Sequence, residues 1–110
     1  MTDSTWLDYL DGSKIAFHED RFRAWERGER IAPITIDMAL TRACNYACGF
    51  CAAQYQENSR QTITEATMER FLTDCADIGV RGISLVSDGE SSIHPSFEFT
   101  IRRGAELGIA

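Results

Sequence analysis

The chain is poor in several residue types, and each shortage argues against a class of protein. Lys14 is the single lysine, and eleven basic residues face seventeen acidic ones, for a net charge of −6. Such a chain is poorly suited to holding a nucleic-acid backbone by charge. The longest apolar run, residues 50–53, is too short to span a membrane. Residues 1–12 carry three aspartates and no apolar core, so we expect no secretory signal peptide and a cytoplasmic location.

What the chain does contain is typical of a small globular domain. Its 110 residues are 44% hydrophobic and 25% charged, with only two prolines, which argues against a disordered or low-complexity chain. The first 33 residues are expected to form a helical N-terminal lead-in. Trp6, Leu7 and Leu10 have helical spacing, and a second helix is predicted over residues 19–27.

Residues 34–110 alternate between strand and helix patterns. Strands are predicted over residues 34–40, which are apolar at alternate positions, and over residues 82–86, a short and largely apolar segment. A helix follows each strand: the first is capped by Thr62 or Thr64, and the second starts near Pro95 or Ser96. The residues expected to be buried are Met68, Phe71, Leu72, Cys75 and Ile78 on the first helix, and Phe97, Ile101 and Ala105 on the second.

This alternation predicts an α/β fold with parallel strands. Ile109 and Ala110 have the character of the first residues of another strand. We therefore expect the chain to end before its fold does, after about two strand–helix units. An open strand edge is prone to pairing, so we also expect a partner, or a second copy of the chain, to cover it.

Three of the four cysteines lie within eight residues. Cys44, Cys48 and Cys51 follow the first predicted strand, whereas Cys75 lies on a helix stripe and is expected to be a buried thiol. In a reducing compartment, clustered cysteines indicate metal or redox chemistry rather than disulfides. Three soft thiolates can each bind one iron of a cubane cluster, which leaves the fourth iron open to a substrate.

The spacing C-x3-C-x2-C after a strand resembles the radical S-adenosylmethionine superfamily. Asn45 after the first cysteine and Phe50 before the last one strengthen the resemblance. In that family the second strand ends in a Gly-Gly-Glu motif that binds the methionine amino group. The matching residues here are Asp88, Gly89 and Glu90, so Asp88 departs from the usual first glycine.

The resemblance implies a partial (β/α) barrel and a specific cofactor set. Cys44, Cys48 and Cys51 would hold a [4Fe–4S] cluster whose open iron chelates S-adenosylmethionine. Gly89 and Glu90 would contact that molecule, and Phe50 would lie beside its adenine. Reduction by a low-potential donor such as a flavodoxin or ferredoxin would yield a 5′-deoxyadenosyl radical that removes hydrogen from a substrate. The substrate is unknown.

Other interpretations of the cysteines stay open. They could bind zinc, with His18 or His94 as a fourth ligand. Cys48 and Cys51 could instead form a thioredoxin-like redox pair. Glu90 could serve only to complement a helix dipole, and His94 is expected in a turn or cap. The alternative function is therefore a small, non-catalytic metal-binding protein or an inactive truncated chain.

Overall fold

A computed structural model of the chain describes residues 14–51, 61–86 and 88–110, and divides it into two compact units, Met1–Ala32 and Pro33–Ala110. The division lies one residue before the boundary expected from the sequence. The expected helix around Trp6, Leu7 and Leu10 lies outside the described residues. No helix among the described residues is long and apolar enough to cross a membrane.

The described part of the first unit is helical. A 3₁₀ helix, Lys14–His18, leads into α1, Glu19–Glu26, which confirms the predicted second helix within one residue. Helix α1 is stabilised locally by an ion pair between Glu19 and Arg23 at 2.7 Å, one turn apart. The rings of Phe22 and Trp25 pack together with centroids 5.8 Å apart, although α1 has no buried residue.

The second unit is a strand–helix–strand–helix arrangement. Its elements are β1 (Thr35–Asp37), α2 (Glu65–Ile78), β2 (Gly82–Ser84) and α3 (Phe97–Glu106). The two strands pair in parallel, as the alternation predicted, with Thr35 opposite Gly82. Both strands are shorter than predicted, since the sequence indicated strands over residues 34–40 and 82–86. The last hydrogen bond of the parallel ladder runs from Met38 N to Ser84 O at 2.9 Å.

Helix α2 forms where the sequence places it. Thr64, one of the two predicted caps, accepts a hydrogen bond from Thr67 N, and Gly79 adopts a left-handed conformation (φ 90°) that ends the helix. The buried apolar core of the described residues consists of Leu40, Met68, Leu72, Cys75, Val80 and Ile109. Ile78, expected on the buried stripe, is 58% exposed because it lies in the last turn of α2.

Helix α3 differs from its prediction in the face that it buries. The buried residues are Thr100 and Gly104, whereas Ile101 and Ala105, which were expected in the core, are exposed. Helix α3 packs on α2, and Arg103 Nε donates to both carboxylate oxygens of Glu69 at 2.9 and 3.0 Å. Ile101 and Ala105 instead line an open apolar cavity of about 260 Å³ beside β2.

The last residues pair with the free side of β2. Ala110 N donates to Arg81 O and Ile83 N donates to Ala110 O, both at 2.9 Å. In a parallel ladder, a residue donates a hydrogen bond to one of the two residues that flank its partner on the next strand and accepts a hydrogen bond from the other. Ala110 therefore makes two ladder-type hydrogen bonds to the edge of β2, although the sheet of the described residues consists of β1 and β2. Ile109 N instead donates to Gly104 O at 2.9 Å, so a strand that begins at Ile109 stays a prediction.

Candidate functional site

The cysteine segment belongs to the second unit and lies between β1 and α2 in the sequence. An isolated antiparallel bridge pairs Thr41 with Thr62, and Arg42 N donates to Gln61 O at 3.0 Å. The two ends of the segment between them are thus fixed to each other. Because the ends are fixed, less conformational entropy remains to be lost when the cysteines converge on a ligand.

A second set of contacts fixes the base of this loop to the segment that follows β2. Glu90 N donates to Ala43 O at 2.9 Å, one residue before Cys44. Glu90 follows Ala43 by 47 positions, the same offset that separates Thr35 from its strand partner Gly82. Parallel strands bring their carboxyl ends to one edge of a sheet, so this register places the two segments side by side.

At Gly89 the two segments approach each other closely. Its φ of +79° is a conformation that residues with a side chain rarely adopt. A Cβ at this position would overlap the carbonyl oxygen of Thr41 and would lie 2.7 Å from that of Ala43. The backbone at Gly89 therefore lies against the base of the cysteine loop. The contact of Gly89 with S-adenosylmethionine that the resemblance implies stays a prediction.

The side chain of Glu90 caps the 3₁₀ helix Ser91–Ile93. Its Oε1 accepts a hydrogen bond from Ser92 N at 3.1 Å. The backbone N–H of Ser92, and secondly its hydroxyl, lower the pKa of Glu90 from its ordinary value. Glu90 is therefore held as a carboxylate at neutral pH. The capping role considered from the sequence is present, and the same charge suits an ammonium group.

The three clustered cysteines share one loop and differ in exposure. Cys44 and Cys48 are exposed, Cys51 is half-buried, and none of the four cysteines in the chain, all of them described, is in a disulfide. Cys51 N donates to Cys48 O at 3.1 Å, which forms a tight turn around the pair. Tyr46 N donates to Cys44 Sγ at 3.4 Å.

The described side chains of the loop do not form a preassembled metal site. Within residues 14–51, 61–86 and 88–110, no three His, Cys, Asp or Glu side chains are grouped so as to hold a metal ion. Phe50, expected beside an adenine, is 93% exposed. The donor set nevertheless suits an iron–sulfur cluster, because three accessible thiols on a loop with fixed ends can converge on soft metal ions.

The remaining candidate residues have structural roles. Cys75 is 4% exposed, and burial, with a smaller effect of Asp74, raises the pKa of its thiol. The expected buried thiol is confirmed. His94 Nδ1 accepts a hydrogen bond from Ser96 N at 3.0 Å, so His94 lies in a turn, as predicted. His18, considered as a zinc ligand, is half-buried at the end of a 3₁₀ helix in the first unit.

Two contributors at the base of the loop were not identified from the sequence. Ser91, 3% exposed, accepts a hydrogen bond from Leu40 N at 3.2 Å. Arg42 forms an ion pair with Asp88 at 3.5 Å. No local pattern in the sequence indicated either contact. The register of the two strands, an offset of 47 positions seen in the structure, brings residues 41–43 opposite residues 88–90 and so places Arg42 near Asp88.

The chain was compared with protein-family models and with curated proteins. No protein-family model matches the chain, and no curated protein matches it. The case for a function therefore depends on the cysteine spacing, the Asp-Gly-Glu segment and the contacts between them.

Proposed function

We propose that this chain belongs to a radical S-adenosylmethionine enzyme, with Cys44, Cys48 and Cys51 as ligands of a [4Fe–4S] cluster. The observation that carries the proposal is the hydrogen bond from Glu90 N to Ala43 O. It joins the segment that would hold the cluster to the segment that would hold S-adenosylmethionine. When bound, these two groups supply a carbon-centred radical that removes hydrogen from a substrate.

The role of the cysteine loop is ligation. Exposed Cys44 and Cys48 and half-buried Cys51 are accessible to incoming iron and sulfide. The amide of Tyr46, donated to Cys44 Sγ, would remain a hydrogen-bond donor to the ligating sulfur. Such donors stabilise negative charge on sulfur and help to set the reduction potential of a cluster.

The role of the segment after β2 is to bind and orient S-adenosylmethionine. Glu90 presents a carboxylate, ionised at neutral pH, to the methionine ammonium group. Gly89 lies against the carbonyls of Thr41 and Ala43, which holds its backbone beside the cysteine loop, and Phe50 offers an exposed aromatic ring to the adenine. These contacts would fix the molecule beside the cysteine loop and limit the access of water.

The proposal extends to the surroundings of the site. The fold would be part of a (β/α) barrel, with the open cavity beside β2 facing further structure or a partner. The electron source would be a low-potential carrier of the flavodoxin or ferredoxin type, and the location would be the cytoplasm. The substrate is not specified by these residues.

Anaerobic reconstitution with iron and sulfide tests the ligand assignment. We expect about four iron and about four sulfide per chain. Cys44→Ala, Cys48→Ala and Cys51→Ala should each abolish assembly, whereas Cys75→Ala should assemble the wild-type content because its thiol is buried in the core. Zinc without sulfide would instead support the non-catalytic metal-binding alternative. Loss of the cluster in Cys75→Ala, with retention in Cys44→Ala, would refute the assignment.

Titration of the reconstituted protein with S-adenosylmethionine tests Glu90. Glu90→Ala should keep its iron and sulfide but weaken binding by about tenfold or more, since a charge-assisted contact is lost. Glu98→Ala is the matched control, because Glu98 is a highly exposed acid on α3. Equal affinities of the wild type and Glu90→Ala would remove Glu90 from the site.

A further inference from the structure

Arg42 and Asp88 occupy matching places on the two segments of the candidate site. Arg42 lies two residues before Cys44, and Asp88 lies two residues before Glu90. The Arg42 guanidinium is 3.5 Å from an Asp88 carboxylate oxygen, and both side chains are partly exposed. The pair therefore joins the cysteine loop to the Glu90 segment through side chains, next to the backbone contact between them.

Few backbone contacts join the cysteine loop to the Glu90 segment. They consist of the hydrogen bond from Glu90 N to Ala43 O and the close approach of Gly89 to the carbonyls of residues 41–43. Gly89 has no side chain to restrict its own backbone, which makes the segment intrinsically adaptable. A charge contact at the preceding residue, Asp88, restricts that freedom.

We propose that Arg42 and Asp88 are positioning residues that hold the Glu90 segment against the base of the cysteine loop. The pair also neutralises Asp88, which leaves Glu90 as the carboxylate that presents negative charge to a cationic ligand. This consequence for S-adenosylmethionine rests on the proposed function, whereas the positioning itself is a property of the chain alone.

The ion pair between Arg103 and Glu69 provides a matched control. Its side chains are 30% and 41% exposed, against 31% and 42% for Arg42 and Asp88, and it joins α3 to α2 at 2.9 Å. Exposed pairs contribute little to global stability. The shorter control pair should therefore affect global unfolding at least as much as Arg42 and Asp88, but it should not affect the Glu90 segment.

Residue-resolved hydrogen exchange of the full chain, without added metal, tests the positioning. In Arg42→Ala the Glu90 amide should exchange about threefold to tenfold faster than in the wild type, because local opening becomes easier. In Arg103→Ala its rate should stay within about twofold. The charge-exchanged variant, Arg42→Asp with Asp88→Arg, should restore protection to within about twofold of the wild type.

Two results would overturn the proposal. One is a Glu90 amide that exchanges at the wild-type rate in Arg42→Ala. The other is equal acceleration in Arg42→Ala and Arg103→Ala, which would reveal a global effect. Neither result depends on a cluster, so a failure of the positioning proposal is distinct from a failure of the proposed function.

A second readout connects the pair to the ligand. After reconstitution, Arg42→Ala should keep the wild-type iron and sulfide content but bind S-adenosylmethionine about threefold to tenfold more weakly. Arg103→Ala should bind it with wild-type affinity. If the wild type binds S-adenosylmethionine and Arg42→Ala binds it equally well, the pair does not position Glu90.

Discussion

Cys75 and the cysteines of the loop show how differently one residue type behaves in two regions of this molecule. Cys75 lies among the core side chains of α2, and burial raises the pKa of its thiol. Cys44 and Cys48 are exposed on a loop whose base is fixed by hydrogen bonds to Gln61 and Glu90. The hydrogen bonds of the loop are thus made at its base, and the thiols of Cys44 and Cys48 stay accessible to solvent. Accessible side chains on a loop with a fixed base are typical of ligand-binding segments.

The largest effect is expected at Gly89, where the loop base meets the segment after β2. Gly89→Ala would force a Cβ into the carbonyls of Thr41 and Ala43, in addition to the strain of its positive φ. We expect a loss of about 3 kcal/mol or more in the free energy of unfolding, measured by urea titration.

Gly108 is the control for this substitution. It has the same φ of +79°, but a Cβ there would meet no described atom within 4 Å. Gly108→Ala should therefore lose only about 1 kcal/mol. Equal losses in the two variants would show that the close approach at Gly89 does not matter for stability.

A smaller effect is expected at Ser91. Its buried hydroxyl accepts the amide of Leu40, so Ser91→Ala would leave a buried N–H unsatisfied. We expect a loss of about 1–2 kcal/mol in thermal or urea unfolding. The neighbouring, exposed Ser92 provides the control, and Ser92→Ala should change stability by less than about 0.5 kcal/mol. A Ser91→Ala protein as stable as the wild type would contradict this role.

The two cysteine regions can be separated by stability alone. Cys75→Ala removes a core sulfur and should lose about 1 kcal/mol in urea unfolding of the metal-free chain. Cys48→Ala, at an exposed position, should change stability by less than about 0.5 kcal/mol. A larger loss of stability in Cys48→Ala than in Cys75→Ala would contradict the view that Cys75 supports the core and that Cys48 does not.

The smallest effect concerns pH and Glu90. The hydrogen bonds from Ser92 lower the pKa of Glu90, so the folded state favours the carboxylate. The stabilisation is therefore present at neutral pH and is lost as the pH falls through the folded-state pKa. The difference in unfolding free energy between the wild type and Glu90→Gln should shrink as the pH is lowered below the ordinary glutamate range. A difference that grows with acidity would have the wrong sign.

The order of the elements could be predicted from local patterns. The Thr64 cap, the left-handed Gly79 and the alternation of strands with helices each depend on neighbouring residues, and all three are present. The burial of α3 could not be predicted in the same way. Thr100 and Gly104 are buried, whereas Ile101 and Ala105 are exposed. Which face packs depends on tertiary contacts that periodicity does not contain.

The candidate site was predictable in its residue types more than in its contacts. Local spacing nominated Cys44, Cys48 and Cys51, and the resemblance of Asp88, Gly89 and Glu90 to a family motif nominated Glu90. The contacts of Ser91 and of the Arg42–Asp88 pair depend on the register between strands far apart in the chain. Under the proposed function, the arrangement of the three thiols would depend on the cluster, whose binding would supply the energy that closes the loop.

Electron paramagnetic resonance of the reconstituted, reduced protein, with and without S-adenosylmethionine, tests most directly whether three cysteines hold a cluster with one open iron. We predict a [4Fe–4S] signal that shifts when S-adenosylmethionine is added, since the fourth iron would be open to it. A cluster signal that does not respond to S-adenosylmethionine, or the absence of any cluster after reconstitution, would contradict the account.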